Sequence, residues 1–370
     1  MDKRSGIKTV QERTVKESRA MRAALLGWYD AGGRSLPWRI RPEDNAGADP
    51  YAVWLSEIML QQTTVAHAAP YWEKFLVRFP AVSDLAHAER DEVLAMWAGL
   101  GYYARARNLH KCAAVVSQEH GGAFPKTEAE LLRLPGIGPY TAATIAAICF
   151  DEPTNIVDGN VERVISRIFA LQSPLPKARG ELRRLAGTLT DPARLKISRP
   201  GDYGQALMDL GATICHVRTP QCGQCVWKSY CAAYAAGQAA EYPKKTPKKK
   251  TPLRRGAVFV LFSGGHVLLH RRPDKGLLGG MMGFPGTPWT PEEPGDALEY
   301  APLARNWELC PNEVKHVFTH FELRLTVYRA QAPSAVRSGG AIEGEWADLG
   351  QIKRYALPTV FTKVLGAAQI

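Results

Sequence analysis

The sequence predicts a multidomain protein in which an all-α domain is followed by a smaller α+β domain. Apolar residues recur at helical spacing from about residue 20 to residue 241. A basic, proline-rich stretch then interrupts the pattern, and beyond it apolar residues alternate as they do in strands. With 370 residues, the chain is long enough to form two separate cores.

The helical domain is predicted over residues 21–241, after a polar extension formed by residues 1–20. Its apolar residues follow the helical period in several segments, which clusters of Gly and Pro separate. The predicted helices include Val53–Thr64, Pro70–Phe79, Glu89–Trp97, Ala104–His120, Val161–Ala170 and Gly204–Leu210.

A linker is predicted over residues 242–255. This stretch contains three prolines, seven Lys or Arg residues and no acidic residue. Such a composition is typical of an extended tether whose charges repel one another. The linker therefore separates the helical domain from a second domain, predicted over residues 256–370.

The second domain combines strand patterns with one helical pattern. The runs Ala257–Phe262 and His266–His270 flank a Ser-Gly-Gly sequence and predict a hairpin. Apolar residues alternate from Val317 to Val327, which predicts one continuous strand. Leu357–Leu365 predicts a closing helix, so the domain is α+β.

The chain is strongly basic, with 47 Lys and Arg residues against 36 Asp and Glu residues. This balance favours nucleic acid or anionic lipid as a partner, although a basic protein without either partner has the same composition. No apolar run approaches the length of a membrane span, and Met1–Arg22 is too polar for a signal peptide. We therefore expect a cytoplasmic monomer (nucleoid-associated if bacterial) without a membrane partner.

Four of the seven cysteines lie within seventeen residues, at Cys215, Cys222, Cys225 and Cys231. In a cytosolic protein, such a group indicates a metal site rather than disulfides. Four thiolates suit either a structural zinc ion or a [4Fe–4S] cluster. The chemistry of the ligands alone leaves both metals open.

A sequence with two glycines, Leu-Pro-Gly136-Ile-Gly138-Pro-Tyr, precedes a predicted helix. The backbone N–H groups of such a turn and helix N-terminus can bind a phosphate without any cationic side chain. Contacts of this kind hold DNA regardless of its sequence. The alternative is a packing corner between two helices.

Two carboxylates are candidates for chemistry. Glu57 lies in an otherwise apolar stretch from Tyr51 to Leu60, where desolvation would raise its pKa and suit it to donate a proton. The alternative is a solvent-facing position on an amphipathic helix. Asp158 directly precedes a predicted helix, so it is expected to cap that helix, to serve an active site, or both.

These motifs occur in one chain together with Leu-Pro-Trp-Arg39, Asp49-Pro-Tyr and the segment Gly99–Arg105. In this combination and order, they resemble the adenine DNA glycosylases of the MutY type, within the helix–hairpin–helix superfamily that includes endonuclease III. The resemblance is strong from about residue 36 to residue 231 and weaker beyond. It implies a helix–hairpin–helix glycosylase domain with a cluster loop, and it favours [4Fe–4S] over zinc.

The resemblance also implies roles for individual residues. Glu57 matches the acid that protonates adenine at N7, and Asp158 matches the carboxylate that stabilises or captures the sugar cation. Tyr140 and Asn160 match residues that position the reacting groups. Residues expected to contact DNA are Gln62 and Tyr102, which probe the opened base stack, and Gly136, Gly138, Arg39 and Arg105.

Tyr140 stands where the related glycosylases that also cut the strand carry a lysine. That amine forms a Schiff base with the sugar, which a tyrosine does not do. The expected reaction is therefore removal of adenine mispaired with 8-oxoguanine or guanine in double-stranded DNA, without efficient strand cleavage.

Two other functions are compatible with these motifs. The first is a bifunctional, endonuclease III-like enzyme that acts on oxidised pyrimidines; Tyr140 and the additional C-terminal domain argue against it. The second is a non-catalytic DNA-binding scaffold, against which the presence of both Glu57 and Asp158 argues.

The second domain resembles the Nudix-like domain with which these glycosylases recognise 8-oxoguanine. Phe318, Thr319 and His320 match the lesion-sensing loop, the alternative being a surface turn that enters the strand. The alternation places Phe318 and His320 on one face of the predicted strand, opposite Thr319. A Nudix hydrolase needs a glutamate-rich helix to hold Mg²⁺. At the corresponding place this chain has only Pro291–Pro294, which cannot form that helix, so we expect no pyrophosphatase activity. The chain also departs from the family at Met281–Gly283, where a Trp-Glu pair is usual.

Overall fold

The computed structural model describes residues 12–40, 47–247, 251–338, 342–355 and 357–370. It divides into two compact units. The first comprises Met1–Ile58 and Val115–Lys248, and the second comprises Met59–Ala114 and Lys249–Ile370. The helical segment 59–114 is thus grouped with the C-terminal residues, a division that differs from the predicted domain boundaries.

Most of the first unit is helical. Its first helix begins inside the predicted polar extension, because Thr14 and Glu17 form a capping box in which each side chain accepts a hydrogen bond from the other's backbone N–H. The prediction of an extension up to residue 20 was therefore wrong from Val15 onward. The helices are α1 (Val15–Gly32), α2 (Pro50–Leu60), α7 (Glu128–Leu131), α8 (Pro139–Phe150), α9 (Gly159–Ile168), α10 (Arg179–Gly187), α11 (Pro200–Asp209) and α12 (Ala232–Ala235).

The core of the first unit lies among α1, α9, α10 and α11. Buried side chains such as Leu25, Ile165, Leu185 and Tyr203 pack together there, and Trp227 of the cysteine-rich loop joins them. The Trp227 indole N–H donates to the Met21 carbonyl at 2.8 Å. This contact anchors the cysteine-rich loop on α1.

The second unit contains the remaining helices and every strand that the structure describes. The helices are α3 (Val65–Arg78), α4 (Val82–His87), α5 (Arg90–Met96), α6 (Ala104–Glu119, which ends in the first unit), α13 (Ser334–Ser338) and α14 (Thr359–Ala368). The strands are β1 (Leu253–Ser263), β2 (His266–Arg271), β3 (Met282–Gly283), β4 (Glu308–Leu309), β5 (Val314–Val317), β6 (Glu322–Gln331) and β7 (Glu345–Asp348). In the described ranges, no helix is long and apolar enough to cross a membrane.

The strands form one mixed sheet in the order β3-β2-β1-β6-β4, to which β5 adds beside β6 and β7 beside β2. The long central pair β1–β6 is parallel, from Leu253 opposite Glu322 to Phe262 opposite Gln331. The predicted hairpin between β1 and β2 is confirmed. Gly264 and Gly265 adopt φ values of 51° and 74°, as a two-residue turn between antiparallel strands requires.

The predicted strand from Val317 to Val327 was wrong, because a turn interrupts it. β5 ends at Val317, residues 318–321 turn the chain, and β6 begins at Glu322 and pairs antiparallel with β5. The Phe318 N–H donates to the Phe321 carbonyl at 2.8 Å and closes the turn. The lesion-sensing candidates therefore lie at a hairpin tip rather than on alternate faces of a strand.

Both ends of the predicted linker belong to folded structure. Tyr242 is buried, and the backbone of Lys244 accepts a hydrogen bond from Leu175 at 2.8 Å. β1 begins at Leu253, within the predicted linker. Residues 248–250 lie outside the described part of the chain. The linker predicted over residues 242–255 was therefore too long at both ends.

Candidate active site and metal centre

Glu57 lies on α2 and is 6% exposed. Burial raises the pKa of its carboxyl to about 7; a hydrogen bond with Tyr140 opposes this increase, and the negative charge of Asp158 adds to it. Glu57 is therefore not on a solvent-facing surface. Near neutral pH, a substantial fraction of this carboxyl carries the proton that a general acid needs.

Asp158 caps α9 and is also close enough to Glu57 for their charges to interact. Its Oδ1 accepts the Val161 backbone N–H at 2.7 Å, and its Oδ2 accepts the Asn160 side-chain amide at 2.8 Å. Burial raises the pKa of Asp158, and these two hydrogen bonds oppose that increase. The two carboxyls thus have different surroundings, since the donors around Asp158 stabilise its ionised form.

Tyr140 follows the N-terminus of α8, and its hydroxyl interacts with the Glu57 carboxyl. The same hydroxyl lies 3.2 Å from the thioether sulfur of Met208. A hydroxyl has one proton, and a carboxylate is a much stronger acceptor than a thioether. The structure therefore brings Glu57, Asp158, Tyr140 and Asn160 into one site, although they come from three segments of the chain.

Arg39, predicted to contact DNA, forms an ion pair inside the first unit. Both terminal nitrogens of its guanidinium donate to the carboxylate of Asp209, each at 2.7 Å. The Arg39 side chain is 6% exposed and that of Asp209 is 1% exposed. The positive charge of Arg39 lowers the pKa of Glu57, so this arginine lies within charge range of the acid.

The four clustered cysteines line one cavity in the first unit. The 3-10 turns Cys222–Gln224 and Lys228–Tyr230 set the positions of three of them. In the described part of the chain, no three His, Cys, Asp or Glu side chains converge to hold a single metal ion. Four cysteines that border one cavity are a ligand set suited to a structural zinc ion or to a [4Fe–4S] cluster.

Two buried arginines of α9 fasten the cysteine-rich loop, and neither was identified from the sequence. Arg167 is 1% exposed and donates to the Cys215 sulfur at 3.0 Å and to the His216 carbonyl at 2.7 Å. No salt bridge between Arg167 and a carboxylate occurs among the described residues. Cysteine thiolates bound to a positive cluster would balance the charge of Arg167, which is a second point of fit.

Arg163 joins the cysteine-rich loop to the carboxylate site. Its Nε donates to the Cys215 carbonyl at 2.7 Å, and its Nη2 donates to the Asn160 amide oxygen at 3.0 Å. The Asn160 amide nitrogen in turn donates to Asp158. The sequence did contain a signal for these arginines: Arg163 and Arg167 are four residues apart on α9, spaced so that both share a face with Asn160.

The two-glycine motif forms the turn between α7 and α8. Gly136 has a φ of 76°, a conformation that favours glycine. Gly138 is the N-cap of α8, and Pro139 is its first residue. The first N–H groups of α8, which were predicted to bind a backbone phosphate, therefore follow this turn.

The second unit brings together the remaining predicted site residues. Gln62, Tyr102 and residues 318–320 line one cavity of about 530 Å³. The Tyr102 and Thr319 hydroxyls are 3.0 Å apart and share a hydrogen bond. Phe318 stacks on Trp289, with 5.9 Å between ring centroids, and this contact supports the hairpin tip.

Arg105 was also predicted to contact DNA, and it too is buried. The residue is 9% exposed, and its guanidinium donates to the carbonyls of Met59, Leu100 and Gly101. This arginine therefore contacts protein carbonyls in this structure.

The segment that follows β3 differs from that of a Nudix hydrolase. Between Gly286 and Glu308, all of which the structure describes, the only helical segment is the 3-10 turn Ala297–Tyr300. Residues 281–283, where the sequence departs from the family, are packed inside the domain. Met281 and Met282 are buried, and Gly283 lies so close to Phe361 that a Cβ there would be 2.6 Å from the ring.

Comparisons with known proteins agree with this arrangement. Residues 55–186 match a family model described as the HhH-GPD superfamily base excision DNA repair protein, and residues 257–367 match the NUDIX domain. A solved structure of a thermostable thymine-DNA glycosylase superposes with a TM-score of 0.52 at 30% identity, covering 60% of this chain and 98% of that one.

Two relatives extend the match to nearly the whole chain. The adenine DNA glycosylase of Homo sapiens is 35% identical over 96% of this chain and 75% of its own length. That of Mus musculus is 34% identical over 95% of this chain and 78% of its own length. The chain therefore belongs to the adenine DNA glycosylase family.

Proposed function

We propose that this chain is a monofunctional base-excision-repair glycosylase that hydrolyses the N-glycosidic bond of adenine mispaired with 8-oxoguanine or guanine. The observation that carries this proposal is the buried Glu57, with a pKa near 7, beside Tyr140 and within charge range of Asp158. A protonated and an ionised carboxyl in one site are what cleavage of a glycosidic bond requires.

In the proposed reaction, Glu57 donates its proton to N7 of the extruded adenine as the bond from N9 to the sugar breaks. The bonding electrons leave with the base, and the sugar carbon becomes cationic. Ionised Asp158, oriented by Asn160, stabilises or captures that cation until water adds to it, and the proton that the water loses returns to the Glu57 carboxylate. Tyr140 holds the Glu57 carboxyl, and Arg39 limits how far burial raises the pKa of Glu57.

The test is a single-turnover assay on a labelled duplex with adenine opposite 8-oxoguanine, developed with and without alkali. We expect a break at the adenine only after alkali, because Tyr140 has no amine to form a Schiff base. An enzyme-dependent break without alkali would instead identify a lyase. If the protein binds the duplex but no break appears, a non-catalytic DNA-binding scaffold would be favoured. The same assay on a duplex with adenine opposite guanine measures the preference between the two mispairs.

We also propose that Cys215, Cys222, Cys225 and Cys231 hold a [4Fe–4S] cluster. Bound there, the cluster would cross-link the cysteine-rich loop, which Arg163 and Arg167 fasten to α9. The support is the shared cavity, the sulfur contact of Arg167 and the family to which the chain belongs.

Replacing Cys225 with Ser is expected to remove most of the iron from the purified protein, because one of four thiolate ligands is lost. Iron and acid-labile sulfide per chain are the quantities to measure. Cys112→Ser is the matched control, since Cys112 is buried outside the loop and should leave the iron content unchanged. Stoichiometric zinc without sulfide in the unmodified protein would contradict the cluster.

A further inference from the structure

Two residues proposed to enter the opened base stack have a backbone conformation that is uncommon for side chains with a Cβ. Gln62, just after α2, has a φ of 58°, and Tyr102, just before α6, has a φ of 48°. Gly99 and Gly101 beside Tyr102 are also left-handed, with φ values of 106° and 69°. Such conformations persist only where surrounding contacts impose them.

One guanidinium contacts both of these segments. Arg105 Nη1 donates to the Met59 carbonyl at 3.0 Å, in the last turn of α2, where carbonyls have no partner within the helix. Arg105 Nη2 donates to the carbonyls of Leu100 and Gly101 at 2.9 and 3.1 Å. The planar, rigid guanidinium can donate hydrogen bonds to two segments at once, for which the compact ammonium of a lysine is poorly suited.

The surroundings of Arg105 keep it in this place. Its guanidinium carbon lies 5.1 Å from the centroid of the Trp97 ring and 5.7 Å from that of Tyr102. Burial lowers the pKa of Arg105 only to about 10, so the side chain remains cationic at neutral pH. Its donors therefore stay available to the backbone carbonyls.

We infer that Arg105 is a positioning residue that holds the Gln62 turn and the Tyr102 loop in one fixed arrangement, so that both side chains enter the base stack together. It does so through protein carbonyls rather than through phosphate. The inference rests on the proposed function, because it uses the roles of Gln62 and Tyr102 in opening the stack.

The first test needs no DNA. In full-length Arg105→Lys, amide hydrogen exchange should rise by about tenfold in both residues 61–63 and residues 99–103. Arg22→Lys is the matched control, because Arg22 is also buried and donates to two carbonyls, those of Leu189 and Ser198. Unchanged exchange, a change in one loop only, or the same change in the control would overturn the inference.

The second test separates stack opening from chemistry. Arg105→Lys should slow single-turnover adenine release about tenfold on a fully stacked duplex, and much less where a neighbouring mismatch already loosens the stack. Equal slowing on both duplexes would overturn the positioning role. In Arg105→Gln, which removes the charge, the salt dependence of duplex affinity should not change, whereas loss of a phosphate contact would lower its slope by about 1. Wild-type protein inactive on both duplexes would refute the proposed function, while the exchange result would still decide the role of Arg105.

Discussion

Glu57→Gln is expected to lower the single-turnover rate constant for adenine release by about 10³-fold, because an amide has no proton to give to the leaving base. Glutamine has nearly the same size and fills the same buried position, so affinity for the mispaired duplex should remain. The rate is measured with saturating protein, and the affinity by fluorescence anisotropy. Glu162→Gln, which removes an acid that pairs with Arg179, should leave the rate unchanged. Undiminished activity in Glu57→Gln would refute the acid role.

The pH dependence checks the same assignment. Since the protonated carboxyl is the active form, the wild-type rate constant should fall as the pH rises above about 7.

The pKa of Glu57 is higher in the folded protein than its ordinary value, so the free energy of unfolding of the wild type declines as the pH rises through about 7. The Glu57→Gln variant lacks this titrating group and should not show that decline. The variant should therefore melt no lower than wild type at pH 8. A lower melting temperature would point to misfolding instead of lost chemistry.

Asp158→Asn is expected to separate capping from catalysis. Asparagine caps helices as well as aspartate does, so the Val161 N–H keeps its acceptor. The amide then faces the amide of Asn160, and we expect a loss of about 1 kcal/mol in the free energy of unfolding. The rate of adenine release should fall by about 10²- to 10³-fold, because a neutral side chain no longer stabilises the sugar cation.

Chemical denaturation and single-turnover kinetics measure the two effects of Asp158→Asn separately. Asp296→Asn is the matched control, since Asp296 also accepts a hydrogen bond at the start of a helical turn, from Leu298 N–H. It should leave the rate unchanged. If Asp158→Asn keeps the wild-type rate, Asp158 is a helix cap and nothing more.

Much of the fold could be predicted from the sequence, because long helices and the Gly-Gly hairpin carry local signals. The start of the helical domain was predicted too late, at residue 21, because the first turn of α1 is polar and only the Thr14–Glu17 box marks its start. The strand from Val317 was predicted too long because apolar alternation continues by coincidence across the turn at 318–321. Local pattern does not distinguish a strand residue from a turn residue of the same polarity.

The residues of the candidate site could be named from the sequence, but their geometry could not. Glu57 and Asp158 are distant in the chain, and only the packing of α2, α8 and α9 brings their charges together. Arg39 and Arg105 were expected to contact DNA because the family resemblance implied it. Their burial depends on partners such as Asp209, or on backbone carbonyls that have no sequence signature.

Helix α9 has a consequence for how this protein can change over evolutionary time. Its cap is Asp158, and Asn160, Arg163 and Arg167 share one face of it. A substitution that frays the first turn would disturb the arginines that secure the cysteine-rich loop as well as the carboxylate. Selection for folding and selection for repair activity therefore act on the same ten residues. Few substitutions in this segment are expected to be neutral.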